Sequence, residues 1–346
     1  MQNLRVYLDA CGYVYHETLQ APNTVFFPVK YEIEPLTSVK KSGGRIIQRL
    51  DGIYHRKKHG SEYLALNQPI REIYDQYADH IIFQSEYSRQ QCFKVFGEKG
   101  KAAYRVIRNG VHKNVFAPKN TTPPQALEKV KFITTGGFRN KDMLEPIIGA
   151  LDQSENEFDF ELTIVGPVHD DSVLPYMKRK YVKHVGEKGN QQVSALLQEA
   201  HIFLYSIANP ACPNSVLEAI SIGLPVVGFD SGAMRELCYF SEDLLAYVSD
   251  DIFQRYQDFD PRRLRDKISL AVAEYPTYRE RALAHSHLYS FEETGAAYVR
   301  VFDQMQQEAQ KTFNPRRYRR LKKQYELESQ VRSWYGTAKN KLREML

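Results

Sequence analysis

The stretch that decides the fold is HIFLYSIANPACPNSVLEAISIGLPVVGFDSGAMREL, residues 201–237. His201 to Ser206 is an apolar run of strand length, and Leu224–Asp230 is a second one, rich in valine. Between them the spacing predicts a helix from about Pro213 to Ile222. Pro213 suits its first position, where a missing N–H costs nothing, and Gly223 suits the left-handed residue that closes it. Strand, helix and strand in this order make a parallel unit, so the helix begins just beyond the carboxyl end of the first strand. Its opening amides, from Asn214 and Ser215 onward, have no intrahelical acceptor and lie where the helix dipole is positive, which suits an anion or a hydroxyl. Glu218 follows Ser215 by three residues and Asn214 by four, so its carboxylate projects on the same face and can accept two bonds from a vicinal diol. Its neighbours Val216, Leu217, Ala219 and Ile220 are apolar, which separates it from an ordinary solvated helix residue.

The same alternation runs outward in both directions. KFITTG, MLEPIIGAL, FELTIVG, VKHVG and NQQVSALLQEA precede the central stretch as strand, helix, strand, strand and helix. Further upstream, LRVYLDA, NTVFFPV, RIIQRL, HIIFQS and YRVIRNG read as strands of another α/β lobe. The run Pro118-Lys119-Asn120-Thr121-Thr122-Pro123-Pro124 reads as the linker between the two. These signals divide the chain into a short lobe at 1–117, a second lobe at 118–290, a helix at 291–312 and a tail at 313–346. Its 346 residues exceed what one core usually serves, which agrees with two lobes.

Several function classes lose their support at once. No G-x-G-x-x-G, G-x-x-x-x-G-K-[ST] or G-x-S-x-G occurs, which removes the main sequence argument for a dinucleotide oxidoreductase, a P-loop protein or a serine hydrolase. Cys11, Cys92, Cys212 and Cys238 lack the spacing of a zinc site or a disulfide scaffold. His55 and His59 have an i, i+4 spacing, but Arg56, Lys57 and Lys58 between them would repel a cation, so no metal site is expected there. Asp258-Phe259-Asp260 imitates a metal-binding D-x-D, yet it precedes Pro261 and a helical stretch, where aspartates cap. Ser85 and Ser88 follow a strand and are expected to start a helix. No apolar run is long enough to span a bilayer, and the first residues do not look like a secretory leader, so a cytoplasmic protein is expected.

Charge is concentrated at one end. The chain carries a net +5, whereas residues 311–346 alone hold eleven Lys and Arg against Glu326, Glu328 and Glu344, leaving the rest slightly acidic. A near-neutral body argues against a nucleic-acid groove, and no nucleic-acid partner is expected. In the tail, Tyr318, Leu321, Tyr325, Val331, Trp334, Tyr335, Ala338 and Leu342 recur mainly at three- and four-residue intervals among the cations. An amphipathic helix is expected there, able to lie on an anionic membrane or to pack on the body or a second subunit.

The run CPNSVLEAISIGLPVVGFDSGAMREL, residues 212–237, resembles the nucleotide-sugar signature of family 4 glycosyltransferases. VIRNGVHKNVF (106–116), ADHIIFQSEYSRQ (78–90) and YSFEETGAAYVRVFDQM (289–305) resemble that family's segment before the interdomain linker, an earlier strand and helix, and its last helix. The resemblance implies a GT-B fold of two facing Rossmann-like lobes with a helix crossing back. It also implies a retaining transfer of a hexosyl-type group from a nucleoside-diphosphate sugar, without a metal ion or other cofactor, to a glycan or lipid-linked acceptor. Surface polysaccharide or glycoconjugate synthesis on the inner face of the cell membrane is the setting that family habits suggest. Glu218 matches the glutamate that holds the donor ribose. Cys212, Pro213, Asn214 and Ser215 would face the transferred sugar or the diphosphate. The sequence departs from the commoner E-x7-E pattern in a CPN-type variant, because the first glutamate falls on Pro210 and no carboxylate occurs between Asn209 and Ser215.

A departing diphosphate is stabilised by fixed cations. Gly136-Gly137-Phe138-Arg139-Asn140-Lys141 follows a strand and resembles the family's diphosphate grip, which makes Gly137, Arg139 and Lys141 site residues. Gly12, after the first expected strand, would let backbone approach the phosphates. Asp51, at the end of RIIQRL, would orient the acceptor hydroxyl. The competing reading is a non-catalytic GT-B protein that binds a nucleotide sugar or a partner transferase.

Overall fold

A computed structural model describes residues 2–14, 24–98, 103–119, 122 and 127–307. The chain divides into two compact units, the first formed by Met1–Ile107 with Gly295–Leu346 and the second by Arg108–Thr294. Each is an α/β unit with a parallel sheet.

In the first unit, α1 (Gln2–Ala10) is followed by β1 (Thr24–Pro28), α2 (Ile33–Lys41), β2 (Arg45–Leu50), the short α3 (Arg56–His59), and α4 (Tyr63–Glu72), which widens into a π turn at Ile73–Tyr77. Then come β3 (His80–Phe83), α5 (Glu86–Phe96) and β4 (Ala103–Val106). The strands lie in the order β1-β2-β3-β4, all parallel, so each crossover joins neighbours. Val25 and Phe27 are buried against Leu36, Val39 and Ile73. Phe26, between them, points to the opposite face. The buried pair Lys40–Asp79 (2.6 Å) ties α2 to the start of β3, and Asp79 also accepts the Ile46 N–H at 2.9 Å. Ser85 caps α5 in a reciprocal capping box with Ser88, as the sequence predicts.

Residues 4–10 correct the sequence reading. LRVYLDA was expected as the opening strand, and it is helical. Leu4, Val6 and Leu8 do alternate, but Leu4, Tyr7, Leu8 and Cys11 also fit a 3.6-residue period. That period prevails, leaving Leu4 buried and Val6 65% exposed. The first sheet strand among the described residues is therefore β1. Gly12 ends a helix at φ +86° instead of following a strand, and its N–H bonds to Asp9 O at 3.0 Å. The premise on which it was assigned to phosphate binding falls with the strand.

The second unit contains β5 (Val130–Thr135), α6 (Glu145–Asp152), β6 (Phe160–Val165), β7 (Val182–His184), α7 (Asn190–Glu199), β8 (Ile202–Tyr205), α8 (Asn214–Ile222), β9 (Val226–Phe229), the short α9 (Met234–Leu237), β10 (Leu245–Ala246), α10 (Pro261–Ala273) and α11 (Tyr275–Ala284). Its six parallel strands lie in the order β10-β9-β8-β5-β6-β7. Phe132, Leu162, Ile202, Leu204 and Val227 from four of them join one core with Ile147, Leu151 and Leu264 of the covering helices. Such strands must read as continuous apolar runs, which is why they were legible. Asp260 caps α10 by accepting the Arg262 N–H at 3.0 Å, and Asp258 accepts the Arg255 N–H at 2.9 Å. The D-x-D look-alike is capping chemistry.

The domain boundary differs from the one expected. Residues 108–117 belong to the second unit, not the first. Val111 bridges Ser290, and Lys113 Nζ donates to Ser221 Oγ (2.8 Å), Ser286 O (2.7 Å) and Leu288 O (2.7 Å). Val115 O accepts from Ser194 Oγ at 2.7 Å. A boundary falls where contacts stop, and these contacts continue through residues 108–117. The chain returns to the first unit between Thr294 and Gly295, inside α12 (Phe291–Gln307) rather than at 291. There Tyr298 and Phe302 receive Phe26 at ring-centroid distances of 5.4 and 5.7 Å. Gly295 lies so close to Tyr7 of α1 that a Cβ would stand 2.6 Å from its ring. The tail at 313–346 and the expected end of the crossing helix at 308–312 lie outside the described residues.

Candidate functional site

In the second sheet the strand order reverses at β5, whose neighbours are β6 on one side and β8 on the other. Outside the carboxyl ends of strands flanking such a reversal, the loops diverge and leave a crevice in which α/β proteins bind ligands. The loop after β5 is residues 136–144, and the loop after β8 is residues 206–213. Ser206 Oγ donates to Met143 O at 2.7 Å, which joins the two. The loop after β6 is tied in as well, through a Phe138–Val168 bridge and the His169 N–H to Phe138 O bond of 2.8 Å.

The α8 entrance stands at this point. Pro213 caps the helix in extended conformation at φ −72° and ψ 120°, one position before its expected place as first helical residue. The helix ends at Gly223 with φ 79°, as predicted. The first bonds of the ladder run from the Val216 and Leu217 N–H groups to Pro213 O, at 3.2 and 3.3 Å. The N–H groups of Asn214 and Ser215 therefore stand before the ladder and face outward. Asn214 is exposed, Ser215 half-buried and Cys212 buried.

Glu218 is half-buried among the buried Val216, Leu217, Ala219 and Ile220. Among the described residues no hydrogen-bond or ion partner reaches its carboxylate. Burial alone pushes its pKa up to about 7. A carboxylate that has lost water without gaining a partner is held at a cost, and a ligand supplying hydroxyl donors removes that cost.

The structure places the other predicted residues as follows. Gly137 is half-buried beside the His169 ring, 3.3 Å from where its Cβ would be. Arg139 is exposed; its N–H donates to Met143 Sδ at 3.4 Å, and among the described residues its guanidinium has no partner. Lys141 is exposed and already paired with Glu145 at 3.6 Å, so of the two cations Arg139 is the more available. Asp51 is exposed immediately after β2 and belongs to the first unit, as does Gly12. The second unit thus brings Gly137, Arg139, Lys141, Cys212, Pro213, Asn214, Ser215 and Glu218 to one sheet edge.

At the position of the absent first glutamate, the Pro210 carbonyl accepts the Ala233 N–H at 2.8 Å. The preceding Asn209, at φ 56°, is clasped by Gln254: its Oδ1 accepts the Gln254 N–H at 2.9 Å and its Nδ2 donates to Gln254 O at 2.7 Å. This segment is pinned by amides. Sequence reasoning missed that clasp and also missed Asn109. Asn109 donates its N–H to Cys212 Sγ (3.3 Å) and its Nδ2 to Cys212 O (3.0 Å) and Asn214 Oδ1 (2.8 Å). Asn109-Gly110 reads locally as a turn pair, and nothing local reports a partner so far along the chain. Among the described residues, no group of three or more His, Cys, Asp or Glu could hold a metal ion.

Residues 129–253 match the family model described as glycosyl transferases group 1. None of the curated proteins matches the chain. Solved structures similar to it include sucrose-phosphate synthase from Thermosynechococcus elongatus, at 14% identity over 87% of this chain and 76% of that one, with a TM-score of 0.60. The Anabaena protein HepE, solved with UDP and glucose, is similar at 14% identity over 87% and 81%, with a TM-score of 0.62. The pneumococcal O-GlcNAc transferase GtfA, solved with UDP and GlcNAc, gives 14% identity over 88% of this chain and 60% of that one, at 0.64. Two Rossmann-like units, each with its own parallel sheet and the second matched over residues 129–253, give this chain the fold of the GT-B glycosyltransferases.

Proposed function

We propose that this chain is a retaining, metal-independent glycosyltransferase that moves a hexosyl-type group from a nucleoside-diphosphate sugar to a glycan or lipid-linked acceptor. The observation that carries the reading is Glu218: a desolvated carboxylate with no partner among the described residues, one turn inside a helix whose leading amides are open, beside a strand-order reversal. A nucleoside-diphosphate sugar has the complementary groups. Its ribose offers a vicinal diol to Glu218, and its diphosphate offers oxygens to the amides of Asn214 and Ser215 and to the cations after β5.

In the transfer, the bond from the anomeric carbon to the diphosphate oxygen breaks while the acceptor oxygen bonds to the same face of that carbon. The acceptor proton passes to the departing phosphate oxygen, so no strong protein base is required. Arg139, with Lys141, stabilises the charge that develops on the leaving group, which is where fixed cations lower a barrier most. Asp51 is assigned the orientation of the acceptor hydroxyl, and Asp51→Asn is expected to lower kcat while leaving donor binding intact. Segment 313–346 is assigned to anionic lipid, and deletion of it is expected to abolish sedimentation of the chain with phosphatidylglycerol vesicles.

The test is thermal shift with uridine, guanosine and adenosine diphosphate sugars, followed by donor hydrolysis or transfer in the wild type and Glu218→Ala. Stabilisation by one nucleotide class, and turnover that disappears in Glu218→Ala, are expected. Failure of every nucleotide to stabilise the chain, or undiminished turnover in Glu218→Ala, refutes the reading.

A further inference from the structure

The three bonds of Asn109 fix more than the backbone near α8. A carbonyl oxygen can only accept, so the Asn109 end that meets Cys212 O is its NH2 group. The same NH2 meets the side chain of Asn214, and each of its two hydrogens is then used. Asn214 must therefore turn its carbonyl oxygen inward, to Asn109, and its NH2 outward. Asn109 has little freedom to do otherwise. Its N–H is held by Cys212 Sγ, and the next residue is pressed on the chain return: a Cβ on Gly110 would stand 2.6 Å from Phe291 Cα and 2.8 Å from Ser290 O.

We propose that Asn109 is a positioning residue that sets the polarity of Asn214, so that the α8 entrance presents the Asn214 NH2 beside the Asn214 and Ser215 N–H groups and recognises an oxygen acceptor on the bound nucleotide sugar. The proposal deepens the glycosyltransferase reading and rests on it for the identity of the ligand. It also supplies a contact where Pro210 replaces an acid: the sugar or diphosphate is met here by donors, not by a carboxylate. Asn109 is assigned no contact with substrate, and its bonds to Cys212 hold it in the place from which it orients Asn214.

Two measurements test it, one without ligand. In protein labelled with 15N-asparagine, side-chain amide hydrogen exchange is expected to show the Asn109 NH2 protected and the Asn214 NH2 exchanging as an exposed amide. In Asn109→Asp the carboxylate can only accept, so Asn214 reverses and its NH2 becomes protected. Protection of the Asn214 NH2 in the wild type, or no change in the variant, overturns the assigned polarity.

The second measurement is calorimetric titration with uridine, guanosine and adenosine diphosphates and their glucose and N-acetylglucosamine conjugates. For whichever nucleotide binds, Asn214→Ala is expected to weaken affinity about tenfold. Asn109→Ala weakens it several-fold, and the double variant binds no more weakly than Asn214→Ala, because one residue acts through the other. A loss shared by diphosphate and conjugate places the acceptor on the diphosphate, and a loss confined to the conjugate places it on the sugar. Additive losses, or full affinity in Asn214→Ala, overturn the proposal. If no nucleotide binds the wild type, the glycosyltransferase reading falls and recognition falls with it, while amide exchange still decides the orientation.

Discussion

Replacing Glu218 by glutamine separates what this carboxylate costs the fold from what it contributes to binding. Burial raises its pKa from 4.5 to about 7 in the folded chain. Between those values the folded state holds a proton that the unfolded state has released, so the folded chain loses stability as pH rises through that window. At pH 4 the side chain is neutral in both states and the penalty vanishes. Above pH 7 the penalty is complete, with a ceiling of about 3 kcal/mol from the displacement of the pKa. Glu218 is only half-buried, and solvent screening brings the expected cost to about 1–2 kcal/mol. For a unit of this size each kcal/mol moves Tm by about 2–4 °C. Glu218→Gln removes the charge and keeps the shape, so it is expected to raise Tm by roughly 2–8 °C at pH 8 and to leave it almost unchanged near pH 4.

Differential scanning calorimetry of both proteins from pH 4 to pH 8 reads this directly. Groups that titrate alike in both proteins cancel in the difference, which isolates Glu218. The same substitution is expected to weaken nucleotide-sugar binding about tenfold at pH 8, since glutamine is a poorer acceptor for a diol than a carboxylate is. Stability and binding should thus move in opposite directions, as they do where a site is held ready at a cost to the fold. Parallel Tm curves across the pH range, or a lower Tm for Glu218→Gln at pH 8, would refute the reasoning.

Three further outcomes follow from single contacts. Arg139→Ala should lower the transfer rate by about 10²-fold, with Tm almost unmoved because the guanidinium has no partner among the described residues; Lys141→Ala, whose ammonium is already paired, should cost less. Lys113→Met strips Ser221 Oγ, Ser286 O and Leu288 O of their donor and should lower unfolding free energy by about 2–3 kcal/mol, read from the urea midpoint. Lys40→Ala removes the 2.6 Å ion pair from the buried Asp79 carboxylate, and should destabilise the first unit by about 3–5 kcal/mol in the same assay.

The second unit was legible because its sheet is parallel and covered, so each strand is an apolar run bounded by turn residues. The helix from 214 to 222 could be placed to within a residue because proline and Gly223 act locally on φ. Residues 4–10 were misread because seven residues satisfy two periods at once, and the helical one sets Tyr7 against Gly295 of α12, a contact that no local pattern reports. The boundary was misplaced for a related reason. Lys113 looks like any surface lysine until Ser286 and Leu288 fold onto it.

By itself, then, the sequence determined the alternation of strands and helices, the helix entrance at 213–215 and the acid at 218 that points from it. Those features depend on side-chain period and on backbone torsions, which are properties of neighbouring residues. Tertiary structure alone decided the strand-order reversal beside that entrance, the burial that raises the Glu218 pKa, and the Asn109 bonds that orient Asn214. Each of these joins residues far apart along the chain, and desolvation and hydrogen-bond polarity come into being only when such residues meet.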